Sequence, residues 1–371
     1  MSDDEGLEQR TQESAGVNLP PRQAEVLVAE LCYDLPMDTE PPDGSLQPWD
    51  DIADEHEWAV LVLGNGLSRN VWPPFGYGSL LDHAAQGSLT VEDRALFQDT
   101  TNFERVLGDL NTAIRTNRII GMDTDAVYER YRSIQRGLGE AVREVHLTRS
   151  QVPGHSLAAI RDVMERFEWV FTTSYDLLIY WAMGYGGPYA PFRDFFQYAG
   201  RCEFDATRSE VQAGEVPVYY LHGALHLVVG ARGATWKLRQ KTLQTILDQF
   251  GQAVDGDPES RPLSVTEGSP QDKRRTIEAN AYLSHSLDRL AEVDLPVVVF
   301  GSALGEQDDH IVAALSENAS RPVAVSMMPG WKRDLARQQV DLWGRLETER
   351  LYFFDATTHP LGAAGLRAPL P

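Results

Sequence analysis

The chain has 371 residues, 42% of them hydrophobic, enough for one large domain or two ordinary ones with a substantial buried core. Its 33 Lys and Arg against 55 Asp and Glu leave a formal charge of -22, a balance that repels phosphate backbones and speaks against duplex nucleic acid as a direct partner. Two cysteines, Cys32 and Cys202, are too few for a disulfide framework or a four-cysteine zinc site. From the N-terminus, residues 1–22 are polar and acidic and predict disorder, 23–33 predict a short helix, and the Pro- and Asp-rich stretch 34–54 predicts a linker or surface loop. The opening MSDDEGLEQRTQES is not basic then apolar, and no apolar run is long enough for a bilayer span. With so few cysteines, the expectation is a cytoplasmic protein with no membrane partner.

The expected domain runs over 55–360, followed by a tail at 361–371. WAVLVL (58–63) is a continuous apolar run ending in Gly64, the pattern of a parallel strand buried on both faces. Similar runs recur at 168–173, 216–221, 296–301, 322–327 and 351–355. Between them lie helical patterns at Phe103–Thr116, Asp125–Val145, Ser156–Phe167, Trp236–Phe250 and Thr276–Leu290. This alternation predicts an α/β fold with a mostly parallel sheet. About a hundred residues separate the first two strands, far more than a crossover needs, so a helical insertion is expected at about 73–150 and a second at about 226–275. The stretch Trp331–Trp343 is either an interface or a solvated helix.

Four segments carry chemistry. Gly64-Asn65-Gly66-Leu67-Ser68 follows the first strand, where bare backbone N–H groups can approach a phosphate; an ordinary tight turn is the other reading. It is not the dinucleotide fingerprint, because Arg69 stands where a third Gly would be. Thr172-Thr173-Ser174-Tyr175-Asp176 ends the second strand, where open α/β sheets bind ligands; Ser174 or Asp176 could equally cap the helix that follows. His222, in LHGALH after the third run, is either a general base or a ring bonded to a neighbouring loop. The His222 and His226 spacing suits one helix face, but without an intervening HExxH glutamate no zinc is expected. Gly301-Ser302 after the fourth run can hydrogen-bond a ribose or phosphate, while Asp308 and Asp309 can cap the next helix.

In order and context these segments resemble the SIR2 superfamily, and more narrowly the bacterial SIR2-like proteins of the DUF4917 type. The resemblance spans Trp58 to Asp355 through GNGLS (64–68), NFERVL (102–107), FTTSYDLLIYWA (171–182), YYLHGALHL (219–227), VTEG (265–268), YLSHSL (282–287) and FGSALGEQDDHI (300–311). The second strand end and the LHG segment are its specific parts. It implies a Rossmann-like fold with NAD across the strand ends and no metal. Gly64, Asn65, Gly66 and Ser68 would cradle the pyrophosphate, Gly301 and Ser302 would hold the adenosine ribose, and Thr172, Thr173 and Asp309 would line the cofactor. His222 would be the general base, Ser174 would orient the nucleophile and Asp176 would stabilise positive charge near the nicotinamide.

Two departures matter. The family's Asn is Ser174 here, and the CxxC…CxxC zinc module of the deacylases is absent, which speaks against deacylation. The expected activity is that of the zinc-free bacterial group, NAD hydrolysis to nicotinamide and ADP-ribose, often in phage defence. The alternative is a non-catalytic NAD or ADP-ribose sensor. A homo-oligomer or a protein partner stays open.

Overall fold

Strand-length apolar runs govern the architecture. In the computed structural model, which describes residues 41–187, 190–196, 202–230, 233–238, 261–265 and 270–369, each of the six runs forms a strand. They are β1 (Val60–Leu63), β2 (Trp169–Thr172), β4 (Val216–Tyr220), β8 (Val297–Phe300), β9 (Val323–Met327) and β10 (Leu351–Asp355). With the two-residue β3 (Phe192–Arg193) they build a seven-stranded sheet in the order β10-β9-β8-β1-β2-β4-β3. Every pairing in it is parallel. The fold is therefore α/β and Rossmann-like, as the alternation of strands and helices predicts.

Burial on both faces explains why the strands are apolar throughout. Alternate residues point to opposite sides. Leu61, Leu63, Val170, Tyr220, Phe300 and Phe354 enter one core with the helices that follow β1. Val60, Val62, Phe171, Tyr219, Val299 and Val325 enter the other. There they meet Leu290 of α10 (Ala281–Glu292), Ile311 of α11 (Asp309–Ser316) and Leu335 of α12 (Lys332–Arg345).

The first insertion is helical: α2 (Asn65–Val71) leads into α3 (Tyr77–Gly87), α4 (Val91–Ala95), α5 (Phe103–Ile119) and α6 (Asp125–Val145), and α7 (Gly154–Met164) returns to β2. The second insertion differs from expectation. Its described part is a three-stranded antiparallel sheet in which β5 (Gly223–Val229) pairs with β6 (Thr235–Lys237) and β7 (Arg261–Ser264). Trp236 is thus a strand residue rather than a helix start, and the rest of that expected helix lies outside the described residues. The helix expected over Thr276–Leu290 is two, α9 (Pro270–Glu278) and α10, because Asn280 starts a new one by accepting from the Tyr282 and Leu283 amides at 3.1 and 3.0 Å.

The end of the expected linker is also structured. Gln47 bridges to β10 through its amide and carbonyl at 3.1 and 2.9 Å, and α1 (Trp49–Ala53) buries Ile52 completely. The expectations for 1–40, including the helix at 23–33 and Cys32, lie outside the described residues, while Cys202 is buried. Among the described residues no helix is long and apolar enough to cross a membrane.

Candidate functional site

The four strand-end segments meet along one edge of the sheet. Leu63 pairs with Thr172 on one side and Phe300 on the other, and Thr172 pairs with Tyr220. Gly64, Thr173, Gly301 and Leu221 are therefore each one residue beyond the same rung of adjacent strands. The chain moves from β1 to β2 in one direction and later continues from β8 to β10 in the other. The sheet reverses its winding between β1 and β8, and such a point opens a crevice at the carboxyl ends of the strands.

The glycine loop occupies that point. Gly64 caps α2, and the Gly66 amide donates to the Gly301 carbonyl at 2.7 Å. A Cβ on Gly66 would lie 2.5 Å from the Gly301 Cα, and one on Gly64 would lie 2.5 Å from the Gly301 oxygen. Gly301 itself has φ +73°, and a Cβ there would press on the Leu67 amide at 2.8 Å. The glycines thus serve first to let two loops pack backbone to backbone. Asn65 is exposed and donates to the Phe75 carbonyl at 3.3 Å, and Ser302 Oγ accepts from the Leu304 amide at 3.2 Å in its own turn. Ser326 on β9, not anticipated from the sequence, accepts from the Gly301 amide at 2.8 Å and holds the second loop.

A buried carboxylate organises the next layer. Asp176 Oδ2 accepts from Ser68 Oγ at 2.5 Å and from Ser174 Oγ at 3.0 Å, and its Oδ1 accepts from the Leu178 amide at 2.7 Å. The last bond holds the first amide of α8 (Leu178–Met183), one of the N–H groups a helix start leaves unpaired. Thr172 Oγ1 accepts from the Ser174 amide at 3.1 Å, and the partly buried Thr173 reaches back to the Leu63 carbonyl at 3.5 Å. Behind this group His146 accepts from the Leu177 amide through Nε2 at 3.1 Å and donates from Nδ1 to the Leu147 carbonyl at 2.7 Å. Burial pushes its pKa down, so it is a neutral ring with both nitrogens engaged.

His222 stands at the end of β4, two residues beyond the rung that pairs Tyr220 with Thr172. It is 5% exposed. Gly223 turns the chain out of the parallel sheet with φ +79°, and a Cβ there would lie 2.0 Å from the Leu263 carbonyl. The Nε2 of His222 lies 2.8 Å from Nε2 of His310, on the first turn of α11, and 4.0 Å from Asp308 Oδ1. Lys273 of α9, buried, sits 3.9 Å from the same carboxylate oxygen. Burial first, then His310 and then the Lys273 charge push the His222 pKa far below the usual imidazole value, and burial with the nearby Lys273 and Arg274 charges pushes His310 down to about 3. Both rings are neutral near pH 7.

Two placements differ from the sequence reading. His226 lies on β5, not on a helix; its ring packs against Tyr180 and Tyr220 at centroid distances of 4.7 Å, fully buried. Asp309 bonds Arg345 at 2.7 Å, and its neighbour Asp308 is the carboxylate that faces His222. His310 and Lys273 were missed. Their signal, a His closing GEQDDH and a Lys in a polar helix, is indistinguishable from surface residues without the fold. His222, Asp308 and His310 place one donor atom each within 4.8 Å of one another, a grouping that could hold a cation, and Lys273 already supplies positive charge beside it.

A family model described as "Domain of unknown function (DUF4917)" matches residues 61–360. No curated protein matches the chain. Among solved structures it is similar to a Sir2 homolog–NAD complex, at 13% identity over 84% of this chain and 88% of that one, with a TM-score of 0.36. It is also similar to a serine-to-alanine variant of a Sir2 homologue with ADP-ribose, at 12% identity over 79% and 92%, TM-score 0.32. A histidine-to-asparagine variant with ADP-ribose gives 12% identity over 78% and 91%, again at 0.32.

Proposed function

The chain belongs to the family described as a domain of unknown function (DUF4917), and we propose that it binds NAD across the ends of β8, β1, β2 and β4 and hydrolyses it to nicotinamide and ADP-ribose. The observation that carries the reading is the meeting of all four chemistry-bearing loops at the winding reversal of a parallel sheet, with a buried neutral His222 at its flank. The residues fit a dinucleotide in kind. The start of α2 is half-exposed at Gly66 beside the Gly301 loop, and the His222 ring meets His310 through Nε2.

In this proposal the backbone around Gly64–Gly66 faces the pyrophosphate, with Asn65 and Ser68 bordering it, and Gly301 and Ser302 face a ribose. The bond from the anomeric carbon to the nicotinamide nitrogen breaks, and the Asp176 carboxylate and its two serines stabilise the positive charge that develops on the sugar. His222 engages the ribose hydroxyl or the attacking water, and its proton-transfer role belongs to this ring. Water supplies the new oxygen on the anomeric carbon. By the same proposal, depletion of NAD is the means by which such an enzyme would act in phage defence.

The test is chromatography of nicotinamide and ADP-ribose after incubation with NAD. His222→Ala is expected to lower turnover by about 100-fold or more; unchanged turnover in that variant removes His222 from the mechanism. A second reading, a sensor that binds NAD or ADP-ribose without cleaving it, is favoured by Ser174, whose hydroxyl proton is committed to Asp176 rather than to a water. A large gain of hydrolysis in Ser174→Asn would mean that the wild type is a degenerate enzyme.

A further inference from the structure

Which nitrogen of His222 carries its proton decides whether the ring meets a ligand as a donor or as a base. The structure contains the means of setting it. The two Nε2 atoms of His222 and His310 lie 2.8 Å apart, so one must carry a hydrogen and the other offer a lone pair. The opposite nitrogen of His310, Nδ1, is buried and has no hydrogen-bond partner among the described residues. If His310 accepted at Nε2, its hydrogen would sit on that Nδ1 as a buried donor with nothing to bond. If it donates from Nε2, only an unused lone pair is stranded, and the other hydrogen goes to His222 Nδ1, which is not among the buried unpartnered atoms of the described residues. Buried N–H groups without acceptors are the rarer orphan, because the stranded hydrogen loses its water and gains nothing.

We infer that His310 is a positioning residue for His222: it donates from Nε2 and holds His222 in the Nδ1–H form, so the ring presents a hydrogen-bond donor beyond the end of β4. The ligand group this selects is an oxygen acceptor, and on the NAD reading, on which this clause alone rests, it is a ribose oxygen. Base catalysis then requires both rings to exchange tautomers, His222 to Nε2–H and His310 to Nδ1–H. The other charged groups facing the pair are Asp308 ahead of α11 and Lys273 and Arg274 on α9. Of these, Asp308 comes no nearer than 4.0 Å to His222 Nε2, so the His310 bond is the directed interaction there.

The experiment is a long-range proton–nitrogen correlation spectrum of the full chain labelled with 15N-histidine, near pH 7 and without NAD. Signals are assigned by their loss in His222→Gln and His310→Gln. His222 is expected to show a protonated Nδ1 and a bare Nε2, and His310 a protonated Nε2. In His310→Phe, which keeps an aromatic ring but cannot donate, His222 is expected to become a tautomer mixture. In His310→Gln, whose amide can donate, it is expected to keep Nδ1–H. If NAD is cleaved, His310→Phe is expected to lower kcat on the order of tenfold with KM little changed, and His310→Gln to recover most of it. A protonated Nε2 on His222 in the wild type, an unchanged His222 signal in His310→Phe, or one equivalent of metal on both nitrogens in the purified protein would each overturn the inference. The spectrum is read without NAD, so a chain that shows this tautomer and neither binds nor cleaves NAD would retire the NAD reading alone.

Discussion

Asp176 shows how one side chain can carry two duties. Its carboxylate takes the Ser68 and Ser174 hydroxyl protons and the Leu178 amide, all within a buried layer. Asp176→Ala strands the Leu178 N–H and leaves the Ser68 and Ser174 hydroxyls, 3.2 Å apart, with one hydrogen between them unpaired, and each buried orphan costs about 1–3 kcal/mol. The expected loss of stability is therefore about 3 kcal/mol or more, read as a lowered urea midpoint. Ser174→Ala removes one donor and leaves the carboxylate two others, with an expected cost of about 1 kcal/mol. Equal losses in the two variants would show that Asp176 does not bind this layer together. TTSYD offered a capping reading and a site reading of Asp176, and in the structure its carboxylate holds the first amide of the helix that follows the strand end.

At the scale of elements, the close approach of two loops and the tie between two helices make separate predictions. Gly66→Ala puts a Cβ 2.5 Å from the Gly301 Cα, a backbone contact that cannot give way by a rotamer change. The loops must part, so on the proposed NAD reading binding measured by calorimetry is expected to be lost before the fold, with a lowered melting temperature. Binding equal to wild type would show that the loops can separate without consequence. Arg321 is fully buried and donates to four carbonyls, Leu290 at 3.0 Å and Val293 at 2.5 Å at the end of α10, and Ala314 at 2.8 Å and Leu315 at 2.7 Å in α11. These are carbonyls of C-terminal turns, where a cation also meets the favourable end of each helix dipole. Arg321→Met is expected to cost about 3 kcal/mol or more in a denaturant titration, from charged hydrogen bonds worth about 1.5–3 kcal/mol each.

Across the whole molecule, buried neutral histidines link stability to pH. Burial pushes His359 down to about 3, with the Arg166 charge adding to it, and His310 down to about 3 as well. His359 cannot gain a proton on Nδ1 without losing the Leu361 amide that donates to it at 3.1 Å. In the unfolded chain these rings take up protons below the ordinary value of 6.5, while the folded chain refuses them until about 3. Their stability contribution is present above 6.5 and is lost as pH falls toward 3, with a slope of up to about 1.4 kcal/mol per pH unit for each ring. The melting temperature is expected to fall steeply from pH 6.5 to pH 4, and His359→Phe is expected to flatten that fall. An unchanged profile would show that His359 is not among the groups responsible.

The sequence by itself determined the six long strands, the helical first insertion and the four strand ends that carry polar chemistry. These are local signals: a strand buried on both faces must be apolar throughout, and a turn leaving it must be polar or glycine. Only the tertiary structure decided what those ends touch. His222 meets a histidine 88 residues away, Ser68 meets a carboxylate 108 residues away, and Arg321 finds its carbonyls on two other helices. The antiparallel strands after His222 were missed because β5 is apolar enough to read as either element, and its pairing is decided by partners far along the chain. Periodicity reports which face of an element is buried, but the partner of a hydrogen bond depends on the order in which the sheet winds.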